Sequence, residues 1–288
     1  MKLTMLLTAG LLLAGGACAQ QASLDDGLIL SLDFEELVEG GFACGATDAV
    51  CAVKGDARVQ DGAVNISQFT AVSVPELHAD DAVEQLTVSA WVAPSERPSG
   101  YRTILYKGKR QGSDVQQIHF FLSLCEGRPE FKFKDEDGTW MGIMRNADMF
   151  TVPGGTPVPL SEVPVVPTAH WSHVAATFDS GRIRLYLNGE EMLSATTSTD
   201  HLVPNEHLLL IGEAQAQGGP RSYMFVGLVD DVRIYDRALS GEEMAALYTR
   251  ERAGKTEDRL SIKLPKPEGY DPEFKTKLPL VAAYEANI

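Results

Sequence analysis

Apolar residues in this 288-residue chain recur at every second position over short runs, the spacing of half-buried strands. Leu28, Leu30, Leu32 and Phe34 share one face of the first run. Further strands are predicted at 63–67, 69–74, 86–92, 103–107, 118–124 and 130–135, then at 173–179, 182–188, 192–196, 208–212 and 224–235. Turn residues separate them, as in sandwiches and barrels. Ile183, Leu185 and Leu187 alternate with polar or aromatic neighbours, and Asn188-Gly189 then supplies a type I′ hairpin turn. Phe131 and Phe133 alternate with Lys132 and Lys134 before a turn at Glu136-Asp137-Gly138. Both turns imply antiparallel pairing, because parallel neighbours need long crossovers. One helix is predicted over 240–250, opened by a Ser240/Glu243 capping box with Leu239 stapled onto Met244. The fold class read from this pattern is all-β and antiparallel, a sandwich or a barrel, with one short C-terminal helix.

The N-terminus breaks this pattern. Met1-Lys2, an apolar run from Leu3 to Leu13 and the small residues Ala17-Cys18-Ala19 read as a signal peptide over residues 1–19. The run is too short to span a bilayer, so export is expected, to a secreted or periplasmic location. The alternative makes Cys18 the lipidated N-terminus of a lipoprotein. The sandwich is expected over residues 20–252, with an extended or disordered tail over 253–288. Pro153, Pro157, Pro159, Pro164 and Pro167 mark 152–167 as a long loop and not a strand.

A net charge of −15 argues against nucleic acid and anionic membrane surfaces as partners. It is compatible with neutral glycans, cations or basic proteins. Cys44 and Cys51 flank a short Gly-containing loop and form the natural disulfide pair in an exported chain. Cys125 is left over and reads as a free thiol, since no His or Asn pattern accompanies it.

Several segments in order carry a family resemblance: Gly27–Phe34, Leu86–Val92, Thr103–Gly108, Trp171–Phe178, Leu185–Gly189 and Gly227–Ser240. Together, over about Gly27 to Arg250, the chain resembles the laminin-G-like, or concanavalin-A-like lectin/glucanase, jelly roll. The resemblance implies an antiparallel two-sheet β-sandwich, the jelly roll, more firmly than a function. A non-enzymatic carbohydrate-binding or adhesion module is the first expectation. A protein-interaction or structural domain of the cell envelope is the second, and an atypical glycan hydrolase or lyase the third. Glycan cleavage needs two carboxylates flanking the bond. The acidic clusters Asp33-Phe34-Glu35-Glu36 and Asp135-Glu136-Asp137 read instead as solvated strand ends.

The resemblance also places a structural calcium ion on Asp230, whose parity with Val232 and Ile234 points it inward, with Asp33 or nearby backbone carbonyls completing the site. Hard oxygen donors suit calcium. The competing expectation pairs Asp230 with an arginine or backbone N–H groups. His170 and His173, three apart on a predicted strand, should face opposite ways and share no metal; His173 reads as structural. Glycan contacts are expected at Tyr101, Lys132, Lys134 and Trp140. The two lysines should be solvated opposite Phe131 and Phe133, and Trp140 should sit at a rim. Trp91 and Trp171 are expected in the core.

Overall fold

The alternating runs build two antiparallel sheets packed face to face. The computed structural model describes residues 24–264 except 36, 40, 46–49, 55–57, 68–69, 76, 78–81, 97, 99, 110–116 and 215–222. The expected signal peptide and the last part of the tail lie outside the described residues.

The first sheet runs β17 (Glu190–Thr196), β16 (Arg182–Leu187), β15 (Ser172–Asp179), β8 (Gln85–Pro94), β19 (Gly227–Tyr235), β6 (Ala63–Ile66), β5 (Arg58–Gln60). β1 (Leu28–Leu32) shares an edge of β19 with β6: it pairs at 232–235, whereas β6 pairs at 227–229. The second sheet begins β14 (Val158–Pro159), β13 (Met149–Thr151), β12 (Trp140–Asn146), β11 (Arg128–Lys134), β10 (Gln117–Cys125), β9 (Tyr101–Lys109). It continues through β18 (Leu209–Ile211), β7 (Ala71–Val74), β4 (Val50–Lys54), β3 (Gly41–Ala43) and β2 (Leu37–Val38). Val88, Val174, Phe178, Val232 and Ile234 from one sheet meet Ile104, Leu122, Phe131, Phe133 and Ile143 from the other in one buried cluster. Phe178 and Phe133 close the gap edge-to-face, with ring centroids 5.4 Å apart.

Every predicted strand is present, but several observed ones were not predicted. β2, β3 and β14 are only two or three residues long. β12 is longer but apolar on both faces. Met141 and Ile143 pack toward the core, while Trp140 joins a cluster on the outer face, so no alternation shows. The hairpin turn has the expected form, with φ +54° at Asn188 and +80° at Gly189.

One expectation needs correction. The proline-rich stretch is not wholly loop: Val158–Pro159 pairs with Met149 and Phe150 at the sheet edge, where proline's missing N–H is tolerated. A 3₁₀ turn follows at Leu160–Glu162. Val163 and Val166 are buried in the core, and Arg128 Nε donates to the Leu160 and Val163 carbonyls at 2.9 and 3.1 Å. The first part of the extended tail packs on the sandwich. Leu260 and Ile262 pack with Ala63, Ala93, Leu228 and Trp171. Leu260 N donates to Ala169 O at 2.8 Å, and Asn65 Nδ2 to Lys263 O at 2.6 Å. The beginning of the tail is a strap across the first sheet.

The helix α1 (Gly241–Arg252) is capped at both groups of the box: Glu243 N donates to Ser240 Oγ, and Ser240 N to Glu243 Oε2. Leu239, Met244 and Leu247 bury against Tyr186 and Tyr235 on the outer face of the first sheet.

Cys44 and Cys51 are bonded, with Cα atoms 5.9 Å apart. Replacing both with alanine is expected to lower stability by ~2 kcal/mol, read as a drop in Tm without change in the secondary structure seen by circular dichroism. An unchanged Tm would count against this assignment of the bond's role.

Candidate functional site

β11 alternates Glu130, Lys132 and Lys134 outward with Phe131 and Phe133 inward. The structure brings all four predicted ligand residues together on this outer face. Lys132 Nζ lies 4.1 Å from the Tyr101 ring centroid, 5.0 Å from Phe121 and 5.5 Å from Trp140. Lys134 Nζ lies 5.1 Å from the Trp140 centroid and donates to Gly138 O at 2.8 Å. Tyr223, which sequence reasoning missed, meets Tyr101 edge-on at 5.7 Å. Tyr101, Trp140 and Tyr223 are each half-buried, so part of each ring faces solvent.

The expectation of a solvated Lys132 is wrong: the residue is only 6 % exposed. Rings from three other strands lie within cation–π reach of its ammonium. Its charge is met by Glu130, fully buried, whose Oε2 lies 3.0 Å from Nζ. Glu130 Oε1 accepts the Arg145 backbone N–H at 2.6 Å. Gly142 stands opposite Lys132 in the β11–β12 register. A Cβ there would sit 2.3 Å from Phe131 O and 2.6 Å from Lys132 Cα, so only glycine lets the strands close beneath the lysine. Burial, with Glu130 beside it, pushes the Tyr101 phenol well above its ordinary range, and Cys125 up to about 12. Cys125 is a buried, free thiol; both groups are held protonated.

A second polar array lies on the outer face of the first sheet, beneath α1 and the strap. β19 carries a register shift between Asp230 and Arg233, where Asp231 has φ +43°. The bulge reverses the phase of the strand. Val229, Val232 and Ile234 face the core, but Asp230 faces the strap and not inward as its parity suggested. Lys255 Nζ contacts Asp230 Oδ2 at 2.5 Å and Asp231 Oδ2 at 2.6 Å. Arg233 Nη2 donates to Asp231 Oδ1 at 2.8 Å, and its Nε forms an ion pair with Glu251 Oε1 at 3.2 Å. Trp91 Nε1 donates to Glu251 Oε2 at 2.8 Å. Burial pushes Asp230 and Glu251 each up to about 7.

This arrangement does not fit the calcium expectation for Asp230 with Asp33. The ammonium of Lys255 already occupies the cation position between the two aspartates, and Asp33 is exposed at the end of β1. Among the described residues no group of three or more His, Cys, Asp or Glu could hold a metal ion. Lysine was not among the partners anticipated for Asp230, because Lys255 lies in a segment whose composition reads as tail.

His173 is fully buried, 5.5 Å from Trp91 and 6.1 Å from Tyr248 between ring centroids. Burial holds it neutral, lowering its pKa to about 3. His170 precedes β15 and is not on its strand. Trp91 is buried under α1 rather than between the sheets, and Trp171 is half-buried beside an open cavity. Of the acidic clusters, Asp135 accepts the Thr139 N–H at 2.7 Å to hold the β11–β12 turn.

The sequence model of the concanavalin A-like lectin/glucanases superfamily matches residues 67–245, more than half of the chain. The chain belongs to the concanavalin A-like lectin/glucanases superfamily. It is 34 % identical over 113 residues to the pentraxin-related protein PTX3 of Mus musculus, covering 36 % of this chain and 29 % of that protein. It is 31 % identical over 93 residues to the C-reactive protein of Rattus norvegicus, covering 31 % and 39 %. The match thus spans about a third of the length of these relatives. Among solved structures, domain 4 of AbnA, a GH43 extracellular arabinanase from Geobacillus stearothermophilus in complex with arabinotriose, superposes with a TM-score of 0.57 at 18 % identity. That match covers 77 % of this chain and 98 % of that one. The ligand binding domain of botulinum neurotoxin serotype D in complex with N-acetylneuraminic acid gives 0.54 at 19 % identity, covering 81 % and 53 %. At these identities the likeness is one of fold: this superfamily member has the two-sheet jelly roll of those domains.

Proposed function

We propose that the chain is an exported, non-catalytic glycan-binding module that reads its ligand on the outer face of β9–β12. The supporting observation is the gathering of the half-buried Tyr101 and Trp140 rings around Lys132, with Tyr223 edge-on to Tyr101. Ligand sites combine aromatic surface with a few fixed polar groups, and a sugar ring presents C–H edges to the aromatics and hydroxyls to Lys134 and the surrounding backbone. The arabinotriose and N-acetylneuraminic acid complexes of the two structural neighbours favour the same use of this fold. The Cys44–Cys51 disulfide favours an oxidising compartment. Glu130, fully buried on this face, is engaged by Lys132 and the Arg145 N–H, which favours a binding role over acid–base catalysis.

The test is a polysaccharide and glycan screen on the protein, followed by Trp140→Ala. That substitution is expected to weaken the best ligand at least tenfold, ~1.4 kcal/mol, with the sandwich still folded by circular dichroism, because the ring is half exposed. Chelator is expected to leave binding intact, since the Lys255 ammonium sits where a cation would lie beside Asp230. A folded protein silent against every glycan would shift the assignment to a protein-interaction domain of the cell envelope, whose interfaces favour the same Tyr, Trp and Arg side chains.

A further inference from the structure

On the opposite side of the molecule, between the start of β15, the end of α1 and the strap, lies a cavity of about 300 Å³. Trp171 and Tyr248 contribute its aromatic walls, and His170, Asn188, Arg252 and Glu257 are among its polar lining groups. None of these belongs to the Tyr101 face, which is on the other sheet.

The walls are held in place from behind. Tyr248 stacks on the buried Trp91, with centroids 5.5 Å apart and planes 15° from parallel. Trp91 is fixed in turn by its hydrogen bond to Glu251. Trp171 is held by Lys255 Nζ, 5.3 Å from its ring centroid, and that ammonium is anchored by Asp230 and Asp231. Asn188 Oδ1 accepts the His173 backbone N–H at 2.9 Å, leaving the amide nitrogen as its donor. The buried polar array of the first sheet therefore serves as the support of two aromatic walls. Rigid support of this kind is what a binding site requires.

The charge of the lining decides the ligand class. Arg252 is paired with Glu257, and Lys255 behind Trp171 is spent on the two aspartates. The lining presents no uncompensated charge to an ionic ligand. It offers two aromatic walls with neutral donors and acceptors between them, in a volume at the small end of ligand pockets. We propose that this cavity is a second carbohydrate site, taking one uncharged sugar residue. The proposal goes beyond the reading of the Tyr101 face and stands whether or not that face binds.

The full chain would be titrated by calorimetry with D-glucose, D-galactose, D-mannose, L-arabinose and N-acetyl-D-glucosamine, with D-glucuronate as the anionic comparison. At least one neutral sugar is expected to bind. Thr256→Trp places a bulky ring at the cavity from an exposed position and is expected to abolish that binding while leaving Tm unchanged. Trp171→Ala is expected to weaken it at least tenfold, and Trp140→Ala to leave it alone. Binding that survives Thr256→Trp, or that falls only with Trp140→Ala, would overturn the proposal and assign the sugar to the Tyr101 face. No binding of any neutral sugar, or tighter binding of glucuronate, would also overturn it.

Discussion

Glu130→Ala is expected to destabilise the protein by ~3–5 kcal/mol, the cost of stranding one partner of a buried ion pair. Glu130 is fully buried and is the carboxylate within 3.0 Å of Lys132 Nζ. It also takes the Arg145 N–H at 2.6 Å, binding β11 to β12 from the outside. Without it, among the described residues the ammonium keeps the Tyr101, Phe121 and Trp140 rings, and a cation over an aromatic face recovers no more than about 2 kcal/mol. The Arg145 N–H loses its acceptor as well. Glu130→Leu with Lys132→Met removes both charges and is expected to regain most of the loss, since well-packed apolar residues often replace buried pairs without penalty. The two variants compared by urea denaturation separate the roles. Recovery of stability in the double variant, with glycan affinity still depressed, is the expected pattern. A loss of under 1 kcal/mol in Glu130→Ala would mean that the pair is more hydrated than its burial indicates.

The way this face is assembled explains what the sequence disclosed and what it hid. The period-two pattern gives Lys132 and Lys134 the same outward side of β11, so their shared direction was legible. The burial of Lys132 was not, because Tyr101, Phe121 and Trp140 reach it from β9, β10 and β12, and no local rule foresees that convergence. Glu130 shares the parity of the two lysines and was legible by the same rule, though it was not singled out. Tyr223 lies just before β19 and reaches Tyr101 only through the tertiary fold.

Asp230 shows the opposite failure. Parity counting assumes an unbroken strand, and the bulge at Asp231 breaks it, so the side chain lands on the outer face. A positive φ at a non-glycine residue carries no reliable sequence signal, although aspartate tolerates it better than most. Leu260, Ile262 and Lys255 were missed for a related reason. Isolated apolar or basic residues between prolines and acids resemble a solvated tail until the surface they cover is known. The helix was legible nearly to the residue because its capping signal is local.

The buried array beneath α1 should leave its mark on the pH dependence of stability. Three carboxylates, Asp230, Asp231 and Glu251, face two cations, Arg233 and Lys255, with neutral His173 alongside. Asp230 and Glu251, raised to about 7, keep their protons in the folded state while the unfolded chain loses them near pH 4. Their contribution is fully present below about pH 4 and is lost as pH rises through about 7, on the order of 3 kcal/mol for each group. His173 and His119 act in the other direction. Burial lowers them to about 3 and about 4, so below pH 6.5 the unfolded chain takes up protons that the folded one refuses. Between about pH 4.5 and 6.5 two retained carboxyl protons offset two refused imidazole protons, and the stability profile should be nearly flat. Above that window it should fall toward pH 7.5, and below pH 4 it should fall again. Asp230→Asn with Glu251→Gln removes the carboxyl contribution, so stability should then climb with pH from 4.5 to 6.5 at roughly 1 kcal/mol per unit for each imidazole. Urea midpoints measured at half-unit intervals for both proteins decide the matter by the shape of the curves, independently of any constant offset from the altered contacts to Arg233 and Lys255. Parallel profiles would mean that the array is ionised at neutral pH and that its excess negative charge is offset by solvent.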